Sequence, residues 1–135
     1  MNRTLRKQVR QRADNYCEYC RLHQRFDALP HHVDHIIARK HQGDEALDNL
    51  SLACTNCSLA KGSNIGGRDL RTMQFTRLFH PRKDSWHMHF RWRGPTLVGK
   101  TSIGRVTVLV LRMNQTDRVA LRKLLIKHDQ FPPND

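Results

Sequence analysis

Hydrophobic residues near the start of the chain recur at helical spacing. Leu5, Val9 and Ala13 follow one another at steps of four, and basic residues fill many of the positions between them. Residues four apart lie on the same side of an α-helix. The pattern therefore predicts a short helix over 1–13 with one apolar stripe and one basic face, ended by the polar residues 14–16.

The middle of the chain alternates short apolar runs with polar connections. The apolar residues within 31–37 suit one short strand, and the run Leu50–Ala53 suits a second. A polar, turn-rich stretch over 38–49 separates them. Capping residues at 55–56 then favour a helix that Gly62 would stop. The expected order is strand, long loop, strand and helix.

A different periodicity marks the second half of the chain. The glycines and the aspartate within 66–69 predict a loop. Over 86–93 the apolar and basic residues alternate with period two, which predicts a strand with one apolar and one basic face. A Gly-Pro turn at 94–95 lets residues 97–98 pair back as a hairpin. The apolar side chains expected in the core are Trp86, Met88, Phe90 and Trp92.

Two more helices are predicted after this hairpin. Thr101 or Ser102 can cap a helix whose apolar residues keep helical spacing as far as Met113, and Asn114 should end it. The β-branched run within 106–110 leaves a strand possible instead. A last helix is expected from 116 or 117 onward. Together these elements predict a small α+β domain.

The excess of basic residues indicates which kind of partner the protein binds. Lysine and arginine number 24 against 12 acidic residues, so the formal net charge is +12. A small domain with this charge repels itself unless a polyanion neutralises it, and nucleic acid is the leading partner. A merely soluble basic protein, or one drawn to anionic lipid, is the alternative. Basic residues are interleaved with apolar ones, which disfavours a membrane partner.

The chain also carries no segment typical of membrane insertion or secretion. It has no apolar run of about eighteen residues, and its first residues lack the apolar core of a signal peptide. A cytoplasmic protein without a membrane partner is therefore expected.

Four cysteines are arranged in two pairs, Cys17-x-x-Cys20 and Cys54-x-x-Cys57. In a reducing cytoplasm this spacing favours a tetrathiolate zinc site over two disulfides. Four thiolates fill the coordination shell of zinc and leave no position for water. The sequence therefore predicts a structural zinc ion.

An Asp-His pair lies between the two cysteine pairs. A phosphodiester hydrolase needs a base to deprotonate water and a cation to neutralise developing charge. His35 can be the base, since imidazole titrates near neutrality, and Asp34 offers an oxygen ligand suited to Mg²⁺ or Mn²⁺. A third group is expected from the helix after the second strand, where Asn56 and Ser58 occupy the first turn.

These motifs together resemble the HNH endonuclease family. The residues that carry the resemblance lie within about 14–65 and are Cys17-x-x-Cys20, His32-Val33-Asp34-His35-Ile36, Asp48-Asn49-Leu50, Cys54-x-x-Cys57 and Lys61-Gly62. A later run over 78–82, with Trp86 and the residues 90–92, resembles an extension found in some bacterial HNH proteins.

The resemblance implies a ββα-metal fold, in which a helix packs across two antiparallel strands and one catalytic divalent ion occupies the groove. It implies that His35 is the general base and Asp34 a metal ligand. Asn49 would brace the loop and orient the base. Lys61 would lie near the phosphate or hold the helix. The family usually has Asn or His directly after the last cysteine as the second metal ligand, and that position is Ser58 here.

His32 adds an alternative at the metal. It lies two residues before Asp34, on the same face of the strand, so it is either a metal ligand, a phosphate contact or an ordinary surface histidine.

The sequence as a whole therefore predicts one HNH nuclease domain over 1–135, with its zinc core at 14–65 and an extension over 66–135 that contains the hairpin and two helices. The expected activity is metal-dependent hydrolysis of phosphodiester bonds in DNA. A zinc-dependent nucleic-acid-binding module without cleavage, and an RNA-directed nuclease, remain open. The basic residues expected to hold the nucleic-acid backbone are Arg39, Lys40, Lys61, Arg91 and Arg93.

Overall fold

The N-terminal helix forms as its apolar stripe predicts. In the computed structural model, which describes residues 1–134, helix α1 spans Arg3–Ala13. The side chain of Asn2 caps it by accepting a hydrogen bond from the backbone N–H of Leu5 at 2.8 Å. Val9 is fully buried in a small cluster with Leu50 and Leu52, so the helix packs on the strand that contains them.

The predicted strand, loop, strand and helix are all present. Strand β1 (His32–His35) pairs antiparallel with β2 (Leu50–Ala53), and helix α2 (Thr55–Lys61) contacts both. Two short 3₁₀ turns, Arg39–His41 and Leu47–Asn49, lie in the connection between the strands.

The predicted cap of α2 is wrong. Neither Thr55 nor Asn56 caps the helix; instead the sulfur of Cys54 accepts a hydrogen bond from the N–H of Cys57 at 3.3 Å. Sulfur is not among the usual capping atoms, so capping statistics do not point to it. Gly62 ends the helix as expected, with a φ of 51° that favours glycine.

The loop predicted over 66–69 is in part a strand. Strands β3 (Gly66–Arg68) and β4 (Phe75–Arg77) form an antiparallel hairpin. Two consecutive glycines have low strand propensity, so the sequence gives no local signal for this pairing. The hairpin instead packs on a helix further along the chain, and the missing side chain of Gly67 faces Val106 and Val110 there.

The period-two strand over 86–93 is only half correct. Residues Trp86–His89 form a single helical turn, α3, and strand β5 begins at Phe90 and runs to Arg93. Met88 is 64% exposed, so its predicted place in the core is wrong. The helical turn brings Trp86 and Phe90, four residues apart, to the same side with ring centroids 5.1 Å apart. This shared packing overrides the alternating pattern.

The last elements follow the prediction closely. Strand β6 (Thr96–Gly99) pairs with β5, and helices α4 (Ser102–Val110) and α5 (Thr116–Lys127) follow. The hydroxyl of Thr101 caps α4 by accepting a hydrogen bond from Gly104 N–H at 3.1 Å. The strand alternative for 106–110 is therefore wrong. Helix α4 ends at Val110 rather than at Asn114.

One large core joins the second half of the chain to the cysteines. The α+β class is confirmed, because residues 1–134 form five helices and three two-stranded antiparallel sheets. Within the same residues, no helix has both the length and the apolar character that crossing a membrane requires. Buried members of the core include Cys17, Cys20, Cys54, Cys57, Leu78, Phe79, Trp86, Phe90, Leu97, Val106, Leu111 and Met113.

Candidate functional site

The four cysteines converge as their spacing predicts. Their sulfur atoms all lie within 4.8 Å of one another, and every one of the four residues is buried. The sulfurs of Cys20 and Cys54 are 3.7 Å apart. Tetrahedral zinc with Zn–S bonds of about 2.3 Å would separate its sulfur ligands by roughly 3.8 Å. The four cysteines are therefore positioned to hold one metal ion.

The protonation of these thiols also fits a metal site. Burial raises the pKa of the Cys17 thiol well above its ordinary value, whereas hydrogen bonds from the neighbouring thiols lower the pKa of Cys20. Four buried thiolates repel one another, so they cannot all ionise unless a cation balances them. A divalent ion at the centre would supply that charge, and its binding would then contribute to folding.

The Asp-His pair forms the end of β1. The Asp34 and His35 side chains are 21% and 20% exposed, yet Asp34 Oδ2 and His35 Nε2 are buried atoms without a hydrogen-bond partner among residues 1–134. Buried polar atoms are nearly always hydrogen-bonded, whereas these two have only a charged neighbour each, Lys61 at 3.5 Å from Asp34 and Glu45 at 3.7 Å from His35. A bound ion and a water molecule are the partners that such atoms would take.

Lys61 holds the back of this pair. Its side chain is almost fully buried, and its Nζ donates a hydrogen bond to the carbonyl of His35 at 2.8 Å. The same Nζ lies 3.5 Å from Asp34 Oδ2. A buried ammonium has no surface to offer a phosphate, so the geometry fits the role of holding α2 against β1 and not the expected phosphate contact.

Asn49 pins the loop that follows β1. Its side chain is buried and makes three hydrogen bonds to backbone groups of the long connection. Oδ1 accepts from the N–H of Ile37 at 2.9 Å, and Nδ2 donates to the carbonyls of Ile37 at 3.0 Å and of Asp44 at 2.8 Å. Asn49 thus ties Ile37, two residues after His35, to Asp44 further along the loop. This arrangement fits the bracing role implied for Asn49.

Ser58 lies on the face of α2 that meets β1. His32 contacts Thr55 at the start of the helix, with Nε2 3.1 Å from the threonine hydroxyl, and Asp34 contacts Lys61 at its end. Ser58 is three residues from each of these helix positions, so it shares their side of the helix. Its hydroxyl makes no hydrogen bond to residues 1–134 and is therefore free to bind an ion. The contact of His32 with Thr55 accounts for this histidine without a metal.

The basic residues expected to meet nucleic acid fall into two groups. Arg39 and Lys40 are exposed in the 3₁₀ turn that follows β1, close to the Asp-His pair. Arg91 and Arg93 are exposed on β5, which belongs to the β5–β6 hairpin. The structure therefore offers basic side chains on two separate elements.

Glu45 is a residue of the site that no sequence pattern indicates. Its Oε1 lies 3.7 Å from His35 Nε2 and 3.2 Å from the guanidinium of Arg39. Glu45 thus links the base candidate to a basic residue on the surface. Only its place in the loop between the two strands of the site could have suggested it.

Comparison with known proteins identifies the segment that contains this site. Residues 17–64 match the family model described as HNH endonuclease, whereas neither the curated proteins nor the solved structures give a match to the chain. The matched residues include both cysteine pairs, β1, β2, α2 and the loop held by Asn49. The segment 17–64 is therefore similar to the HNH endonuclease family.

Proposed function

We propose that the protein is a metal-dependent endonuclease that hydrolyses phosphodiester bonds in DNA. The observation that carries this proposal is the pair of orphaned buried atoms, Asp34 Oδ2 and His35 Nε2, side by side at the end of β1. A carboxylate oxygen and an imidazole nitrogen in one groove are the groups that hydrolysis of a phosphodiester needs.

Asp34 and Ser58 would hold the catalytic ion. One carboxylate oxygen of Asp34 has no hydrogen bond, and the free hydroxyl of Ser58 lies on the helix face toward β1. Oxygen donors of this kind suit Mg²⁺ or Mn²⁺, with water completing the shell. When bound, a divalent ion supplies neutralisation of the charge on the scissile phosphate and on the leaving oxygen.

His35 would act as the general base. It takes a proton from water as the water oxygen bonds to phosphorus, and the bond from phosphorus to the 3′ oxygen breaks, which leaves a 5′ phosphate. Lys61 holds the backbone carbonyl of His35, and Asn49 holds the backbone two residues later. Both are positioning residues, because they act through the backbone that carries the imidazole.

The cysteine cluster would bind zinc with a structural role. A shell of four thiolates has no open position for substrate, so this ion takes no part in hydrolysis. Reduced thiols with this arrangement fit the cytoplasm as the site of action.

The whole chain would fold as one domain, with its core at 14–65 and an extension over 66–135. Three contacts support this proposal. Arg82 forms an ion pair with Glu18, the indole N–H of Trp86 donates to the carbonyl of Tyr19 at 2.7 Å, and Arg118 pairs with Asp27 at 3.1 Å. Each of these three contacts joins a residue of the extension to a residue near the first cysteine pair.

Binding to the substrate would be mainly electrostatic. Arg39, Lys40, Arg91 and Arg93 are exposed, and the formal net charge is +12. Contacts between arginine or lysine and phosphate give affinity without sequence information, and their strength falls steeply with salt.

Plasmid cleavage in the presence of Mg²⁺, Mn²⁺ or Ni²⁺ tests the proposal. The wild type should nick or linearise the plasmid, and His35→Ala should lose about 10²-fold or more of the rate, because general-base catalysis contributes roughly that much. His41→Ala is the matched control, since His41 is an exposed histidine in the adjacent turn. Equal cutting by His35→Ala and His41→Ala would rule out the assigned base.

Ser58 favours a second candidate function, because a serine hydroxyl is a weaker ligand than the Asn or His usual at that position. In that case the protein is a zinc-dependent nucleic-acid-binding module. Salt-sensitive binding without cleavage at any divalent ion would support this alternative. Parallel reactions with RNA of the same sequence would separate a DNA-directed from an RNA-directed nuclease.

A further inference from the structure

The β3–β4 hairpin presents large apolar side chains to solvent. Leu70, Met73 and Phe75 are 66%, 59% and 70% exposed. All three lie within one hairpin of a strongly basic protein, and they contribute little to its core. Contiguous exposed apolar residues of this kind mark an interaction surface more often than scattered ones do.

The two faces of the hairpin have different surroundings. A side chain at Gly67 would meet Val106 and Val110 of α4, so that face packs on the helix. Gly66 points to the opposite side, where the ring of Phe75 lies only 2.6 Å from the place a Cβ would occupy. The absence of a side chain at Gly66 therefore lets the Phe75 ring lie across the strand on the outer face.

The turn that joins the two strands is held in place by Asp69. Its buried carboxylate accepts hydrogen bonds from the Arg105 guanidinium at 3.1 and 2.9 Å. It also accepts hydrogen bonds from the N–H of Arg71 and the hydroxyl of Thr72, both at 3.2 Å. The exposed apolar side chains are thus displayed by a preordered turn, which lowers the entropy cost of binding.

An unpaired arginine lies beside the aromatic ring. Arg68 lies directly opposite Phe75 in the strand pairing, and Arg71 lies in the turn. Both side chains are exposed, and neither guanidinium has a partner among residues 1–134. An aromatic ring beside an arginine is a combination on which the bases of single-stranded nucleic acid stack while phosphates pair with the cation.

The base of the hairpin adjoins the candidate active site. Ile65 and Arg77 line a narrow pocket together with Ile36, Ile37 and Lys61, which directly follow or support the Asp-His pair. A nucleic-acid strand bound at His35 can therefore continue along the hairpin toward Phe75.

We propose that the outer face of this hairpin, formed by Arg68 and Phe75, is a stacking platform for an unpaired base of the nucleic acid. The identity of the partner rests on the proposed nuclease function. The inference adds a substrate class, namely nucleic acid that has a single-stranded or unpaired stretch beside the cleavage point.

Fluorescence anisotropy with a labelled single strand, and with the blunt duplex of the same sequence, tests the platform. All binding is measured in the His35→Ala background so that the substrate stays intact. Phe75→Ala should weaken single-strand binding by about tenfold, or ~1.4 kcal/mol, and duplex binding by much less. Phe75→Tyr should keep the affinity for the single strand, because tyrosine retains the aromatic ring. Leu124→Ala is the matched control, because Leu124 is a similarly exposed apolar residue on α5.

The possible outcomes separate this inference from the proposed function. If Phe75→Ala binds the single strand as tightly as its parent, or loses both substrates equally, the platform is wrong even when cleavage depends on His35. If binding depends on Phe75 but the wild type does not cleave, the nuclease proposal falls and the platform stands. A dimer in sedimentation that Phe75→Ala abolishes, without any change in oligonucleotide binding, would assign the surface to a second copy and overturn the inference.

Discussion

Replacing Asn49 with alanine gives a direct test of the loop that carries the site. The substitution removes three hydrogen bonds of 2.8–3.0 Å, all of them to backbone groups of Ile37 and Asp44. A typical hydrogen bond contributes about 1 kcal/mol net, and Ile37 is partly exposed, so water replaces part of the loss. We expect the free energy of unfolding to fall by about 2–3 kcal/mol.

Urea unfolding followed by circular dichroism measures this change. Asn64→Ala is the matched control, because Asn64 is an exposed asparagine whose side chain makes no hydrogen bond within 1–134, and it should stay within about 0.5 kcal/mol of the wild type. Asn49→Asp should be at least as harmful as the alanine at neutral pH, because it sets a carboxylate oxygen against two carbonyls. A loss below about 0.5 kcal/mol in Asn49→Ala would refute the bracing role.

Three further predictions concern the metal site and two ion pairs. The purified protein should contain about one zinc ion by mass spectrometry, and Cys57→Ser should lose the metal and unfold. Lys61→Met should lower the free energy of unfolding by about 3 kcal/mol in urea, because it leaves the Asp34 carboxylate without its counter-charge. The Arg105 guanidinium holds the pKa of Asp69 well below its ordinary value. The ion pair therefore stabilises the fold fully above about pH 4, and this stabilisation is lost progressively as the pH falls further. The difference in melting temperature between wild type and Asp69→Asn should shrink from pH 7 to pH 3.

Each of these predictions has its own contrary result. Metal-free protein with an unchanged melting temperature would contradict the zinc assignment. A Lys61→Met variant with the wild-type urea midpoint would mean that Asp34 is not buried enough to need its partner. A difference in melting temperature between wild type and Asp69→Asn that stays constant with pH would show that the pair with Arg105 does not lower the pKa of Asp69.

The parts of the site that the sequence predicted are those encoded by local spacing. Two C-x-x-C pairs are recognisable because each forms one turn of chain around a metal, and Asp34 and His35 are adjacent in the sequence. Strand β2 and helix α2 were also predictable, because a buried apolar run and a terminal glycine are local signals.

The parts that the sequence could not predict depend on contacts between distant residues. The β3–β4 hairpin exists because Gly67 packs on Val106 and Val110, which are about forty residues away in the chain. The burial of Lys61 depends on the carbonyl of His35 and the carboxylate of Asp34 across the groove. The Gly67 contact leaves no periodicity or motif in the sequence, and the motif that contains Lys61 does not show that its ammonium is buried.

The contacts that join the extension to the first cysteine pair also predict how these positions can change during evolution. Trp86 donates to the backbone carbonyl of residue 19, which every amino acid provides, so that contact places no restriction on Tyr19. Glu18 and Arg82 meet through their side chains, and a change of charge at one would leave the other partly buried without an opposite charge. In homologous sequences we therefore expect positions 18 and 82 to covary, while the hydrogen bond from Trp86 by itself does not restrict the side chain at position 19. Recombination that exchanged only the segment 17–64 would separate the covarying pair.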